Sequence, residues 1–125
     1  MFALFDDAGK FHAGRVMSES DSSMQIELDS GKRVKVKTAN VMIKFAKPSP
    51  AEVLAQGAAQ AADIDVDLIW EVAPNDEFGF DDLAREYFSA NADAVQQAAM
   101  LMRLFETPHY FHRRGKGRFR KAPED

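Results

Sequence analysis

The chain has 125 residues, a net charge of −4 and hydrophobic residues at 46% of its positions, which suffices for one ordinary domain or two very small ones. Cysteine is absent, which excludes a disulfide framework and a thiolate metal site. The sequence has neither the pattern of a signal peptide nor an apolar run long enough to span a bilayer, so we expect a cytoplasmic protein with no membrane partner.

Charged residues are segregated along the chain. Residues 32–47 and residues 109–121 each contain six basic and no acidic residues, whereas residues 48–108 contain two basic and twelve acidic residues. Acidic surroundings lower non-specific attraction to polyanions. We therefore expect nucleic-acid binding to be confined to the two basic segments and to be weakened by salt.

Residues 1–47 are predicted to form five short strands separated by polar turns. Apolar and polar residues alternate in them, as Met24, Ile26 and Leu28 do with their neighbours, and this period of two places one face inward and the other in water. Five strands in so short a segment leave few open edges only if the sheet curls. The sequence therefore predicts a small SH3-like β-barrel over residues 1–47.

The fourth predicted strand carries the first basic segment, and alternation directs its basic side chains to the solvent face together. Any barrel strand needs a polar outer face, so the pattern alone does not assign a function. Small barrels nevertheless often act as accessory contact modules for nucleic acids or proteins. The candidate nucleic-acid contacts in this segment are Lys32, Arg33, Lys35 and Lys37.

Two prolines break the strand pattern at residues 47–52 and mark the start of a second predicted domain over residues 48–122. Ser49 and Glu52 form the pattern that begins a helix. A short helix capped by Asp65 follows. Its residues that are predicted to be buried are Leu68, Ile69, Trp70 and Val72.

Two further helices are predicted, over residues 80–88 and over about 92–105. The first has two aspartates in its first turn, where negative charge suits the helix dipole. The second has apolar residues at a spacing of 3.6, namely Val95, Ala98, Ala99, Met102 and Phe105. Its predicted exposed positions are Asp93, Gln96, Gln97, Met100 and Arg103.

Residues 109–122 read HYFHRRGKGRFRKA, the pattern of a two-stranded hairpin that turns at a Gly-Lys-Gly centre. Because adjacent strand residues face opposite sides, we expect Phe111 to be buried against the long helix and Tyr110 to be the more accessible of the two. Basic residues among rings are typical of surfaces that grip phosphates and stack bases, although a charged sheet edge that only maintains solubility is the alternative. The candidate contacts here are Tyr110, Arg113, Arg114, Lys116, Arg118, Arg120 and Lys121.

Two helices followed by a hairpin have the order of a winged helix-turn-helix. The predicted fold class is therefore α+β, with the small SH3-like β-barrel followed by a winged-helix domain whose wing is the hairpin. In such folds the second helix normally enters the major groove of DNA. Because only one of its predicted exposed residues is basic, we expect the hairpin, rather than this helix, to contact nucleic acid.

No arrangement typical of catalysis is indicated. Asp63, Asp65 and Asp67 begin like a calcium loop, but Leu68 and Pro74 occupy the positions that require glycine and glutamate. Neither a P-loop nor a Ser-His-Asp set is indicated. We therefore predict no catalytic residue, metal or other cofactor within these residues.

Five segments occur in an order that resembles one family: SGKRVKVKTANVMIKF, PSPAEVL, DLIWEVAP, EFGFDDLAREYF and YFHRRGKGRFRKAP. Together they are similar to the amino-terminal region of bacterial ribonuclease II family exoribonucleases, in the branch where a winged-helix-like segment precedes the catalytic domain. Family members degrade RNA from the 3′ end, using magnesium held by an aspartate cluster in that downstream domain. Asp76, Asp81 and Asp82 match neither the spacing nor the context of that cluster. The predicted barrel also lacks the aromatic-rich RNA motif of cold-shock barrels.

The resemblance implies a non-catalytic module that binds single-stranded RNA and feeds it to the parent protein's own downstream catalytic domain. Residues 123–125 are then the start of a linker to that missing domain, which alone is expected to hold Mg²⁺. Two alternatives remain open: a free-standing winged-helix regulator that binds duplex DNA, and a protein-interaction module whose basic segments contact an acidic partner.

Overall fold

The computed structural model describes residues 1–124, which form a mixed α/β chain, as the α+β prediction requires. The chain divides into two compact units, Met1–Ala55 and a second unit that begins at Gln56. The domain limits predicted at residues 47 and 48 lie shortly before this division. Among the described residues, no helix is long and apolar enough to cross a membrane.

The first unit contains a single antiparallel sheet. Its strands are β1 (Phe2–Asp7), β2 (Lys10–Glu19), β3 (Ser23–Leu28), β4 (Arg33–Lys37) and β5 (Val41–Phe45). They are arranged in the order β4-β3-β2-β1-β5, so the five predicted strands are confirmed. Within residues 1–124, no strand pairing between β4 and β5 closes this sheet into a barrel.

Apolar side chains from alternate strand positions form the core of this sheet. The buried cluster consists of Ala3, Phe5, Met24, Ile26 and Val36. Gly14 in β2 lies opposite Leu28 in β3, and a β-carbon at Gly14 would collide with the backbone carbonyl of Glu27 and lie 2.8 Å from Cγ2 of Ile26. Glycine at this position therefore allows β3 to approach β2 closely.

The remaining elements follow one another without long loops. They are α1 (Pro50–Ala61), α2 (Val66–Val72), β6 (Phe78–Gly79), α3 (Phe80–Tyr87), α4 (Ala94–Glu106), β7 (Phe111–Gly115) and β8 (Arg118–Lys121). The last strands form a separate sheet in the order β6-β8-β7. The predicted hairpin is present as β7 and β8, whereas the two-residue strand β6 was not predicted.

Side-chain caps explain where three of these helices begin. Ser49 and Glu52 exchange the predicted reciprocal hydrogen bonds at the start of α1, with lengths of 3.2 and 3.3 Å. The Asp65 carboxylate accepts the backbone N–H of Leu68 at 3.2 Å, which confirms it as the cap of α2. Asp93 forms a second capping box at the start of α4.

The burial predicted for α2 is wrong at two positions. Ile69 is fully buried, but the side chains of Leu68 and Val72 are each 45% exposed. Successive helix residues are rotated by about 100°, so a helix of only seven residues buries a narrow stripe, and Leu68 and Val72 lie to one side of it. Trp70, which was predicted to lie in the core, is only partly buried, and its indole N–H donates to the carbonyl of Ala122 at 3.2 Å.

Met100 in α4 is also misassigned by the sequence pattern, because it is fully buried rather than exposed. Its helix is covered on several sides. Gly57 of α1 packs so closely that a β-carbon there would lie 3.0 Å from Cβ of Ala98, and α3 also packs against α4. The buried residues of α4 are Ala94, Val95, Ala98, Ala99, Met100, Leu101, Met102 and Leu104.

Candidate nucleic-acid interface

The hairpin of β7 and β8 carries the second basic segment. Its turn contains Gly117, whose φ of 71° lies in the left-handed region that favours glycine. The carbonyl of Gly117 accepts the backbone N–H of Phe80 at 2.9 Å. This bond joins the tip of the hairpin to the first residue of α3, so the tip has a defined position within the second unit.

One face of the hairpin is anchored in the core. Phe111 is 1% exposed, which confirms its predicted burial, and Phe119 is 0% exposed. The Phe119 ring lies 6.3 Å from that of Phe105 and 6.5 Å from that of Phe78, measured between centroids. Neither buried phenylalanine has an accessible ring on which a base could stack.

Two of the candidate basic contacts lie on aromatic rings of the same unit. Arg113 is paired with Phe119 across the hairpin and therefore shares its face, and its guanidinium carbon lies 4.4 Å from the centroid of the Phe105 ring. Nζ of Lys121 lies 4.8 Å from the centroid of the Trp70 ring. Both cations make intramolecular cation–π contacts, which stabilise the hairpin against its neighbours.

A third candidate, Arg118, is paired with a carboxylate. Its Nε donates to Oε2 of Glu77 at 2.6 Å. This hydrogen bond is the main cause of a raised Arg118 pKa, and the negative charges of Asp82 and Asp81 act in the same direction. A phosphate that bound Arg118 would have to compete with Glu77.

Arg113 and Arg118 are exposed despite these contacts, and the remaining basic side chains of the hairpin are turned to solvent. Arg114 and Arg120 are exposed, and within residues 1–124 neither side chain forms a hydrogen bond or an ion pair. His112 is exposed directly opposite Arg120, and Lys116 is exposed in the turn. We call His112, Arg114, Lys116 and Arg120 the exposed hairpin surface. It carries three permanent positive charges and no carboxylate of its own.

Tyr110 precedes β7 and lies in a different environment. It is partly buried, and a hydrogen bond between its hydroxyl and the carboxylate of Asp67 raises the Tyr110 pKa. The cleft around it is lined by Asp67, Glu71 and Glu124 together with Trp70. These carboxylates would repel a phosphate backbone, so base stacking on Tyr110, which stays a prediction, is not supported by its surroundings.

The basic residues of the first unit are all exposed. Nε of Arg33 lies 3.5 Å from Oε2 of Glu27, and Oε1 of the same carboxylate accepts a hydrogen bond from Arg15 at 3.1 Å. The Arg15 hydrogen bond is the main cause of a lowered Glu27 pKa. Lys35 and Lys37 lie opposite the neutral residues Gln25 and Ser23. Lys32 is exposed just before β4.

The pairing of Arg118 with Glu77 was not visible in the sequence, because 41 residues separate them. Strand β6 brings the two together, since Phe78 is paired with Phe119 and Gly79 with Arg118. The only available signal was the order of the residues, with an acidic residue just before two strand residues. That signal is too short to indicate a strand.

Among residues 1–124, no group of three or more histidine or acidic side chains is arranged to hold a metal ion. Comparison with known proteins found no matching family model and no curated protein or solved structure with significant similarity. The resemblance to ribonuclease II family exoribonucleases therefore stays a prediction from the sequence.

Proposed function

We propose that the chain is a non-catalytic module that binds single-stranded RNA through the exposed hairpin surface. The observation that supports this best is the exposure of Arg114 and Arg120 without any acidic partner in the described part of a chain whose net charge is −4. Guanidinium groups present several donors in a planar fork that matches phosphate oxygens. An exposed pair of this kind favours a polyanionic ligand.

We also propose that the second unit is a winged helix and that the first is a small SH3-like barrel. The order α2-β6-α3-α4-β7-β8, with β6 paired to the second strand of the hairpin, supports a winged helix. The five-stranded order, with a 3₁₀ turn at Thr38–Asn40 between β4 and β5, supports the barrel. These folds host many functions, so the proposal depends on the surface and not on the fold.

Helix α4 has few side chains available to contact the bases of duplex DNA. Gln96 caps the helix together with Asp93, and the Gln97 amide donates to the carbonyl of Ala92 at 2.9 Å. Nε of Arg103 donates to the carbonyl of Ile64 at 3.0 Å, and Met100 is buried. Because base readout in the major groove needs side chains that reach base edges, a duplex-reading regulator is disfavoured.

If the chain is the amino-terminal module of a ribonuclease II family exoribonuclease, it supplies RNA to a catalytic domain of the same protein, and that domain holds the Mg²⁺. Asp81 and Asp82 instead form ion pairs with Arg85 at 3.0 and 2.9 Å. The module itself then acts by binding and orienting RNA.

Fluorescence anisotropy with a short labelled oligonucleotide tests the proposal. We expect single-stranded RNA to bind more tightly than duplex DNA of the same sequence, and log K to fall with log salt at about −0.7 per phosphate neutralised. Tighter binding of the duplex would contradict the proposal and favour the regulator. Absence of binding to both would favour a protein-interaction module.

A further inference from the structure

Strand β4 lies at the edge of the first sheet and pairs only with β3 within residues 1–124. The hydrogen bonds at the two ends of this pairing show which residues of β4 direct their backbone groups to β3. Leu28 donates its backbone N–H to the carbonyl of Lys32 at 2.8 Å, and Thr38 donates to that of Ser22 at 2.9 Å. Bonded pairs alternate along an antiparallel ladder, so the even-numbered residues of β4 bond to β3.

The odd-numbered residues of β4 therefore direct their backbone groups away from the sheet. Arg33, Lys35 and Lys37 each turn an N–H and a carbonyl toward the open edge, where no strand of the described residues pairs with them. Such a row of backbone donors and acceptors is a template for one more strand.

A groove runs along this open edge. One side is formed by β4 itself, and the other is formed by residues of β1, β2 and the 3₁₀ turn. Its lining includes the apolar residues Phe5, Leu28, Val34 and Val36. Lys32, Lys35 and Lys37 also line the groove, whereas Asp7 is its one exposed acidic residue among those described. The groove thus combines an apolar lining with excess positive charge.

The side chains of β4 specify the strand that fits beside it. Arg33, Lys35 and Lys37 are exposed on the solvent face, while Val34 and Val36 lie on the inner face. In a strand added at this edge, every second side chain lies beside the basic residues of the solvent face, and the side chains between them lie beside the valines of the inner face. Opposite charges and apolar contacts between neighbouring strands are stabilising, so the matching sequence alternates acidic and apolar residues.

We propose that β4 binds an extended segment of a partner protein, in which acidic and apolar residues alternate, by adding it to the sheet as a sixth strand. This mode of recognition uses backbone hydrogen bonds for affinity and alternate side chains for specificity. A second copy of β4 is the wrong occupant, because it would bring lysine beside lysine. RNA would use the lysine side chains without completing the ladder.

Amide hydrogen exchange measured by NMR on the full chain tests this proposal. The probe is a synthetic peptide in which glutamate and valine alternate. At saturating peptide, we expect exchange at the amides of Arg33, Lys35 and Lys37 to slow at least about tenfold, because these amides become hydrogen-bonded. The amides of Val34 and Val36, which already bond to β3, should change little. A control peptide in which lysine replaces glutamate should give no protection.

Charge reversal provides the matched test. The double variant Lys35→Glu with Lys37→Glu is expected to weaken peptide binding at least about tenfold. The control is Lys10→Glu with Lys47→Glu, which changes the net charge by the same amount at two positions outside the groove lining. The control should have a smaller effect on binding. All four positions are exposed, and an unchanged amide spectrum confirms folding. The proposal is overturned if the peptide protects none of the odd-numbered amides of β4, or if both variants lose peptide binding equally. It is also overturned if RNA, but not the peptide, perturbs the amides of this edge.

Discussion

Replacing Arg114 and Arg120 together by glutamine is expected to weaken the binding of single-stranded RNA at least about tenfold at low salt. Both side chains are exposed and, within residues 1–124, have no acidic partner, so a bound phosphate gains their full charge. Each neutralised phosphate contributes about −0.7 to the slope of log K against log salt, so losing two contacts should make the slope shallower by about 1.4. Anisotropy titrations at several salt concentrations measure both quantities.

The matched control is Arg113→Gln with Lys121→Gln, which removes the same charge from the same hairpin. These side chains lie on the rings of Phe105 and Trp70, so the slope should change little. An equal loss in both double variants would mean that only net charge matters. If neither variant loses affinity, the hairpin is a charged edge that maintains solubility.

Phe119→Ala is expected to destabilise the protein by about 3–5 kcal/mol, which is the typical cost of removing a fully buried phenylalanine ring. The Phe119 side chain is 0% exposed and packs against the rings of Phe78 and Phe105. Its loss leaves a cavity between α4 and the small sheet. Denaturant-induced unfolding, followed by circular dichroism, measures the change.

Arg120→Ala is the control for this experiment, because Arg120 is the next residue on the same strand and is exposed. A surface change of this kind should alter stability by no more than about 0.5 kcal/mol. A loss below about 1 kcal/mol for Phe119→Ala would show that the hairpin is not anchored by this ring. RNA binding by Arg120→Ala can then be interpreted without correction for folding.

Local patterns in the sequence were sufficient for most elements of the fold. Alternation predicted the strands of the first unit, and the residues Ser49 and Asp65 marked two helix starts through their capping chemistry. Both signals depend on residues close together in the chain. For this reason they can be interpreted without knowing the tertiary structure.

Burial was harder to predict wherever it depends on what covers an element. Met100 was assigned to the exposed face of α4 by its spacing, although the helix is covered by α1 as well as by α3. A signal was present, because Leu101 and Leu104 widen the apolar arc beyond one stripe. For α2, only the tertiary structure decides that Ile69 and not Leu68 points into the core.

The sequence shows which residues of the hairpin are basic, but it does not show which of them have partners in the folded protein. Six basic residues of the hairpin look equivalent in the sequence, yet Arg118 is paired with Glu77, and Arg113 and Lys121 lie on rings. Their partners lie on other elements of the same unit, which the spacing of the hairpin residues does not indicate. Of the hairpin arginines, Arg114 and Arg120 therefore have neither a ring contact nor an ion pair among the described residues.

Mapping backbone amide shifts by NMR while single-stranded RNA is added to the full chain tests the central proposal most directly. We expect the largest shifts between His112 and Arg120, with little change along α4, because α4 is buried or bonded within its own unit. The shifts should diminish as salt is raised at constant RNA concentration. Largest shifts along α4, or saturation with RNA that leaves the hairpin amides unmoved, would contradict RNA contact through the exposed hairpin surface.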